Sequence, residues 1–144
     1  MKCTVQQIQQ AIPAFNELAG RKDIPAKPAY SVAKLIKAAT NELKDFDEER
    51  TKIFTDAGCA LEDIKDEKGE VVTGQDGKPQ QKYAHADQAV LDGCVKKAGE
   101  MAEAEVEINA LAINLDQFVT AKGDELCIEP WVLLSLDWAI KQPE

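Results

Sequence analysis

One stretch limits what this chain can become. Between Ala29 and Ala57, apolar side chains recur at steps of four and three: Val32, Ile36, Ala39, Leu43, Phe46, then Ile53 and Ala57, with only Arg50 breaking the series. That period puts them along one seam of an α-helix, roughly 43 Å long at 1.5 Å per residue. A lone helix cannot hide such a seam from water, so the rest of the chain must cover it. Arg50 occupies a seam position, where it either pairs with a buried carboxylate or packs its stem and sends its guanidinium to solvent. The second is the ordinary behaviour of a long amphipathic side chain.

The residues before the seam read as a shorter helix. Thr4 with Gln7 three residues on forms a capping box, and Val5, Ile8, Ile12, Phe15 and Leu18 follow at helical spacing up to Gly20. Pro13 lies inside this pattern and predicts a kink near Gln9, whose carbonyl it crowds. Arg21 to Lys27 is a connector. Pro25 and Pro28 hold the residue before each extended, and Pro28 is expected to open the long helix. So brief a connector folds the first helix back on the second.

Beyond the seam, Gly58 stops the helix and Asp66-Glu67-Lys68-Gly69 makes a turn. Gly74-Gln75-Asp76-Gly77 between the short runs Glu70–Thr73 and Pro79–Tyr83 signals a small exposed hairpin. The flanks are polar, so a disordered loop is the competing reading. From Ala84 the period is helical again, with Val90, Cys94, Ala98 and Met101 in one stripe. This helix pairs antiparallel with the long one, and residues 58–83 form the tip. Gly93, Ala98 and Gly99 either permit close approach there or are merely tolerated. Glu105-Val106-Glu107-Ile108 alternates as a strand does. Leu111, Ile113 and Leu115 alternate in the opposite phase, which predicts a bulge or bend near Asn109. A second short strand is expected over Glu125–Ile128. Pro130 opens a last helix, Trp131–Lys141, apolar over most of its circumference, with both tryptophans in the core. The class is therefore α+β, mainly α: one domain over residues 1–144, with a long antiparallel helical hairpin, a small β element and a buried C-terminal helix.

The chemistry-bearing residues do not converge in sequence. Cys3, Cys59, Cys94 and Cys127 are scattered, no Cys-x-x-Cys is present, and His85 is the single histidine. Reduced thiols in a cytosolic protein are the expectation, with Cys94 in the core. No Gly-rich loop joins a strand to a helix, and the carboxylates fall in charged runs rather than apolar pockets. The segment from Asp63 to Glu70 lacks the spacing of a calcium loop. We therefore expect neither an enzyme nor a bound metal or cofactor. The most apolar run, Trp131–Ile140, is too short to span a bilayer and contains Asp137. Met1-Lys2-Cys3 is not followed by an apolar signal segment, so a cytoplasmic, non-secreted protein is expected.

Charge is the remaining signal. The chain carries −9, but residues 1–40 hold six basic side chains against two carboxylates, a net +4, which leaves −13 on the remainder. Such a surface repels nucleic acid and anionic membrane and attracts a basic protein surface. The candidate contact residues are Asp45, Asp47, Glu48 and Glu49 on the long helix, with Glu62, Asp63, Asp66 and Glu67 beyond it. The competing reading is a solvated face that keeps the chain dispersed.

One resemblance spans most of the chain. It is carried by Ile24-Pro25-Ala26 and Ala29-Tyr30 at the start of the long helix, and by Leu43, Phe46 and Arg50 along it. The polar Gly69–Tyr83 hairpin, Glu105-Val106-Glu107-Ile108, and Ile128 with Pro130, Leu133, Leu136 and Trp138 complete it. In these features the chain resembles small proteins of unknown function encoded by bacteriophages and prophages. The resemblance implies a phage origin and action inside a bacterial host or on a virion. The function expected is a non-catalytic inhibitor that occludes the nucleic-acid-binding surface of a host defence protein. The alternative is a structural or assembly accessory of the phage particle. The partner is a host or phage protein with a basic surface, and a homo-oligomer through the hairpin tip or the last helix is the further option.

Overall fold

The structure, a computed structural model, describes residues 1–142. It is a mainly helical α+β chain, ordered β1 (Lys2–Thr4), α1 (Val5–Gly20), α2 (Ala26–Asp56), β2 (Ala60–Asp63), β3 (Gln81–Ala84), α3 (Gln88–Glu103), β4 (Glu105–Glu107) and α4 (Pro130–Ser135). Short 3-10 turns stand at Leu115–Gln117 and Asp137–Ala139. The residues group into two compact units, 1–46 with 102–144, and 47–101; α2 runs through both.

In the first unit, α1 starts as its sequence predicts. The Thr4 hydroxyl accepts from the Gln7 N–H at 3.1 Å, and the Gln7 side chain accepts from the Thr4 N–H at 2.8 Å. Helical turns continue on both sides of Pro13, which is exposed. Val5, Ile8, Phe15 and Leu18 are buried, together with Ala11 and Ala14. The long helix begins at Ala26, so Pro28 sits buried in its first turn rather than opening it. The Pro25 carbonyl accepts from the Ala29 N–H at 3.0 Å. Val32, Leu35 and Ala39 of α2 join Ile8, Phe15, Ile108, Val132 and Leu136 in the core, while Ile36 and Leu43 pack at its edge. Leu35 lies one position off the predicted seam and is fully buried. A helix covered on a broad face hides a wider stripe than a strict four-three series marks.

β4 covers the residues that alternate, Glu105–Glu107, and its partner is β1, antiparallel, with Cys3 opposite Val106. The Ile108 N–H extends the ladder to the Met1 carbonyl at 2.8 Å. Past this point the predicted strand ends. Ile113 alone returns to pairing, a parallel bridge to Ile140, while Leu111 is 76% exposed. The strand expected over Glu125–Ile128 is reduced to one bridge, Val119 to Glu125. The last helix also differs from its predicted span. It stops at Ser135, and Asp137–Ala139 follows as a 3-10 turn. Val132, Leu136 and Ala139 are buried, but Trp131 is 44% and Leu134 78% exposed. Trp131 is therefore not a core residue: six residues of helix can turn only one face inward. Trp138 is half-buried and meets Phe15 edge-on, ring centroids 6.2 Å apart.

In the second unit, α2 ends in a Schellman cap. Gly58, with φ +81°, turns the chain; the Gly58 N–H bonds the Thr55 carbonyl and the Cys59 N–H bonds the Phe54 carbonyl. This brings Cys59 back over Phe54, where Phe54, Cys94 and Ala98 form a small core with Ile53, Ala57, Tyr83 and Leu91 around it. Gly93 and Gly99 of α3 do not serve close packing: both are exposed, and a methyl group on either would meet nothing within 4 Å.

The segment between α2 and α3 is ordered as three extended passes. β2 pairs antiparallel with β3, from Ala60 opposite Ala84 to Asp63 opposite Gln81. The expected hairpin, bridged at Thr73 and Pro79, supplies the third pass. The three meet where Ile64 N–H donates to the Gln80 carbonyl, Gln80 N–H to Val72, and Val72 N–H to Ile64, each at 2.8 Å. This closed ring satisfies backbone groups that a polar segment with little apolar surface could not otherwise hold in place.

Candidate functional site

The predicted contact residues are all exposed, but they are not equivalent. Successive helix residues point about 100° apart, so Asp45, Glu48 and Glu49 share one side of α2 and Asp47 stands on the other. Lys44 and Lys52 lie four residues either side of Glu48, the spacing at which opposite charges support a helix. On the hairpin, Glu62 stands opposite Lys82, and Asp63 accepts from the Gln81 side chain at 3.1 Å. Asp66 is committed to folding. Its Oδ1 accepts from the Lys68 and Glu70 N–H groups at 2.9 and 3.0 Å, closing a turn completed by Gly69 at φ +79°. Thr120 holds the 120–124 turn the same way, its hydroxyl accepting from Lys122 and Asp124. Glu67 is exposed within the turn.

The charge balance explains how these residues present themselves. Residues 47–101 carry 13 acidic against 8 basic side chains, net −5; residues 102–144 carry 9 against 2, net −7. The acidic side chains of α2 and of the hairpin are thus interleaved with lysines. The C-terminal segment holds the denser negative charge, with Glu103, Glu105, Glu107, Asp116, Asp124, Glu125, Glu129 and Asp137 all exposed. Reading runs of adjacent acids overlooks that segment, because its carboxylates are spread over 43 residues. A windowed charge count would have found it.

Arg50 takes neither of the two forms in full. It is half-buried, and its guanidinium carbon stands 5.2 Å from the Phe54 ring centre and 5.5 Å from that of Tyr83. The cation faces aromatic rings in place of a carboxylate, which keeps its stem on the core and its head at the edge. His85 caps the entry to α3: its Nδ1 accepts from the Asp87 N–H at 2.8 Å, and Asp87 in turn accepts from Ala89. Cys3 is buried in the first unit, and loss of solvent pushes its thiol up to about 11. Arg21 forks onto the Asp23 carboxylate and also donates to the Cys127 carbonyl, tying the connector to the C-terminal segment. Among the described residues no three His, Cys, Asp or Glu side chains gather to hold a metal ion, and no helix is long and apolar enough to cross a membrane.

No protein-family model matches the chain, and neither a curated protein nor a solved structure matches it.

Proposed function

We propose that this protein acts by binding rather than by catalysis, and that its exposed carboxylates dock on the basic surface of a protein partner. The observation that carries this reading is the exposure of Asp45, Glu48 and Glu49 on one side of a continuous 31-residue helix. The backbone of a formed helix loses little freedom on docking, and complementary charge speeds encounter and sets register. In the phage setting that the resemblance implies, the partner is a host defence protein in the bacterial cytoplasm whose basic surface ordinarily holds nucleic acid. The carboxylates then stand where phosphates would lie, and the mechanism is occlusion.

The test is capture from host lysate at low and high salt, with wild type and with Asp45, Asp47, Glu48 and Glu49 changed to Lys. Capture should weaken as the Debye length falls from about 10 Å at 0.1 M to about 3 Å at 1 M. It should vanish in the charge-reversed variant. Equal retention of the same partner by both proteins rejects the reading. A second reading, an accessory of particle assembly, draws on the exposure of Trp131 and Leu134 on α4. Presence of the protein in purified virions would favour it.

A further inference from the structure

The structure assigns a second chemistry to the 47–101 unit: we propose that Cys59 and Cys94 are a reversible dithiol–disulfide pair that staples the end of α2 to α3. The two are 35 positions apart, and nothing in their spacing links them. The fold brings them together through the cap of α2. Gly58 in the left-handed region returns the chain so that the Cys59 N–H bonds the Phe54 carbonyl at 2.9 Å, and Cys59 packs against the core formed by Phe54, Cys94 and Ala98. From the facing helix, Cys94 aims its thiol at the Ile53 carbonyl, Sγ to O 3.8 Å. Burial and the neighbouring Cys94 push the Cys59 thiol up, so Cys59 reacts through its minor thiolate form. Their exposures differ usefully. Cys59 is half-buried and within reach of a reagent, whereas Cys94 is buried. By access, Cys59 meets the reagent first and Cys94 resolves the mixed disulfide.

The oxidant is a small-molecule disulfide such as oxidised glutathione. The Cys59 thiolate attacks one sulfur of the disulfide, the S–S bond breaks, and one glutathione leaves as a thiolate and takes up the Cys59 proton. Cys94 then attacks the Cys59 sulfur of the mixed disulfide and expels the second glutathione, which takes up the Cys94 proton. Two protein thiols are oxidised to one disulfide, and one glutathione disulfide is reduced to two thiols. A reducing dithiol reverses both steps. The bond closes a loop over β2, β3 and the hairpin between them, so it holds the ring of three extended passes against α3 and restricts the unfolded chain.

The experiment incubates the folded chain, with Cys127 changed to Ser, in glutathione buffers of graded oxidised-to-reduced ratio. The products are trapped with acid and a maleimide and mapped by mass spectrometry. The expected product is a peptide pair cross-linked through Cys59 and Cys94, lost on reduction, with a higher apparent melting temperature than the reduced form. Cys94→Ser should stop the reaction at a glutathione adduct on Cys59, and Cys59→Ser should leave Cys94 unmodified. Circular dichroism before oxidation confirms that each variant is folded; if a serine variant unfolds, mapping of the Cys127→Ser protein decides alone. A Cys59 adduct that never resolves in that protein overturns the proposal. So does a Cys59–Cys94 cross-link that forms only in denaturant.

Discussion

The ring of Tyr83 lies flat on that of Phe54, centroids 4.2 Å apart and planes 14° from parallel, and the Arg50 guanidinium carbon stands 5.2 and 5.5 Å from the Phe54 and Tyr83 ring centres. This joins the last strand of the hairpin to α2 through three side chains whose positions in sequence give no hint of the contact. Phe54 is 2% exposed, so Phe54→Ala should cost about 3–5 kcal/mol. Arg50→Ala should cost far less, about 0.5–1 kcal/mol for a half-exposed cation over a ring. A double-mutant cycle of Arg50→Ala with Tyr83→Leu in denaturant should return a coupling of similar size. Additive losses would mean the cation does not read the rings.

Gly93 and Gly99 are exposed interior residues of α3 with open space around them. Replacing either with Ala should raise stability by about 0.5–1 kcal/mol, because Ala loses less backbone freedom in a helix. Chemical denaturation of the single and double variants measures this, and the two gains should add.

Asp66 separates folding from docking. Asp66→Asn keeps a carbonyl oxygen able to accept from Lys68 and Glu70 and removes one charge. Asp66→Lys removes the acceptor as well. Amide exchange at Lys68 and Glu70 should stay slow in the first variant and accelerate in the second. Charge reversal at this position therefore reports on the turn, and the docking test is rightly confined to α2.

Trp138 packs edge-on against Phe15, yet its Nε1 is buried without a hydrogen-bond partner among the described residues. Trp138→Phe keeps an aromatic ring there and removes the unsatisfied N–H, which costs about 1–3 kcal/mol to bury. It should therefore destabilise much less than Trp138→Ala. Thermal unfolding of both variants checks the order, and equal losses would show that the N–H carries no penalty.

Asp23 has its carboxyl held below the ordinary carboxylate range, first by the hydrogen bonds from Arg21 and then by its charge. A group with a lowered folded-state pKa adds stability above its unfolded value of 3.8 and loses it as pH falls through the folded value. The stability gap between wild type and Asp23→Asn should therefore be constant near neutrality and close below pH 3.8. Acid titration of both proteins, followed by circular dichroism, gives that gap directly. Its size should be modest and shrink with salt, since the Asp23 carboxylate is open to solvent.

What the sequence determined by itself is local. The capping box at Thr4, the stop at Gly58, the turns at Gly69 and Gly77 and the strand at Glu105–Glu107 are each decided within five or so residues, by hydrogen-bond geometry and side-chain alternation. The helical period likewise placed Val32, Ala39, Phe46, Cys94 and Ala98 inside. The tertiary structure decided the rest, because burial depends on what lies opposite. It moved Leu35 and Phe54 into the core, turned Trp131 and Leu134 out, and gave β4 the partner β1 from the far end of the chain. It set Arg50 over aromatic rings and packed Cys59 against the small core that holds Cys94. It also divided the acidic candidates, giving Asp66 to a turn and leaving Asp45, Glu48 and Glu49 on one side of α2. Periodicity states which face of an element is apolar; which face of another element covers it is a property of the packed chain alone.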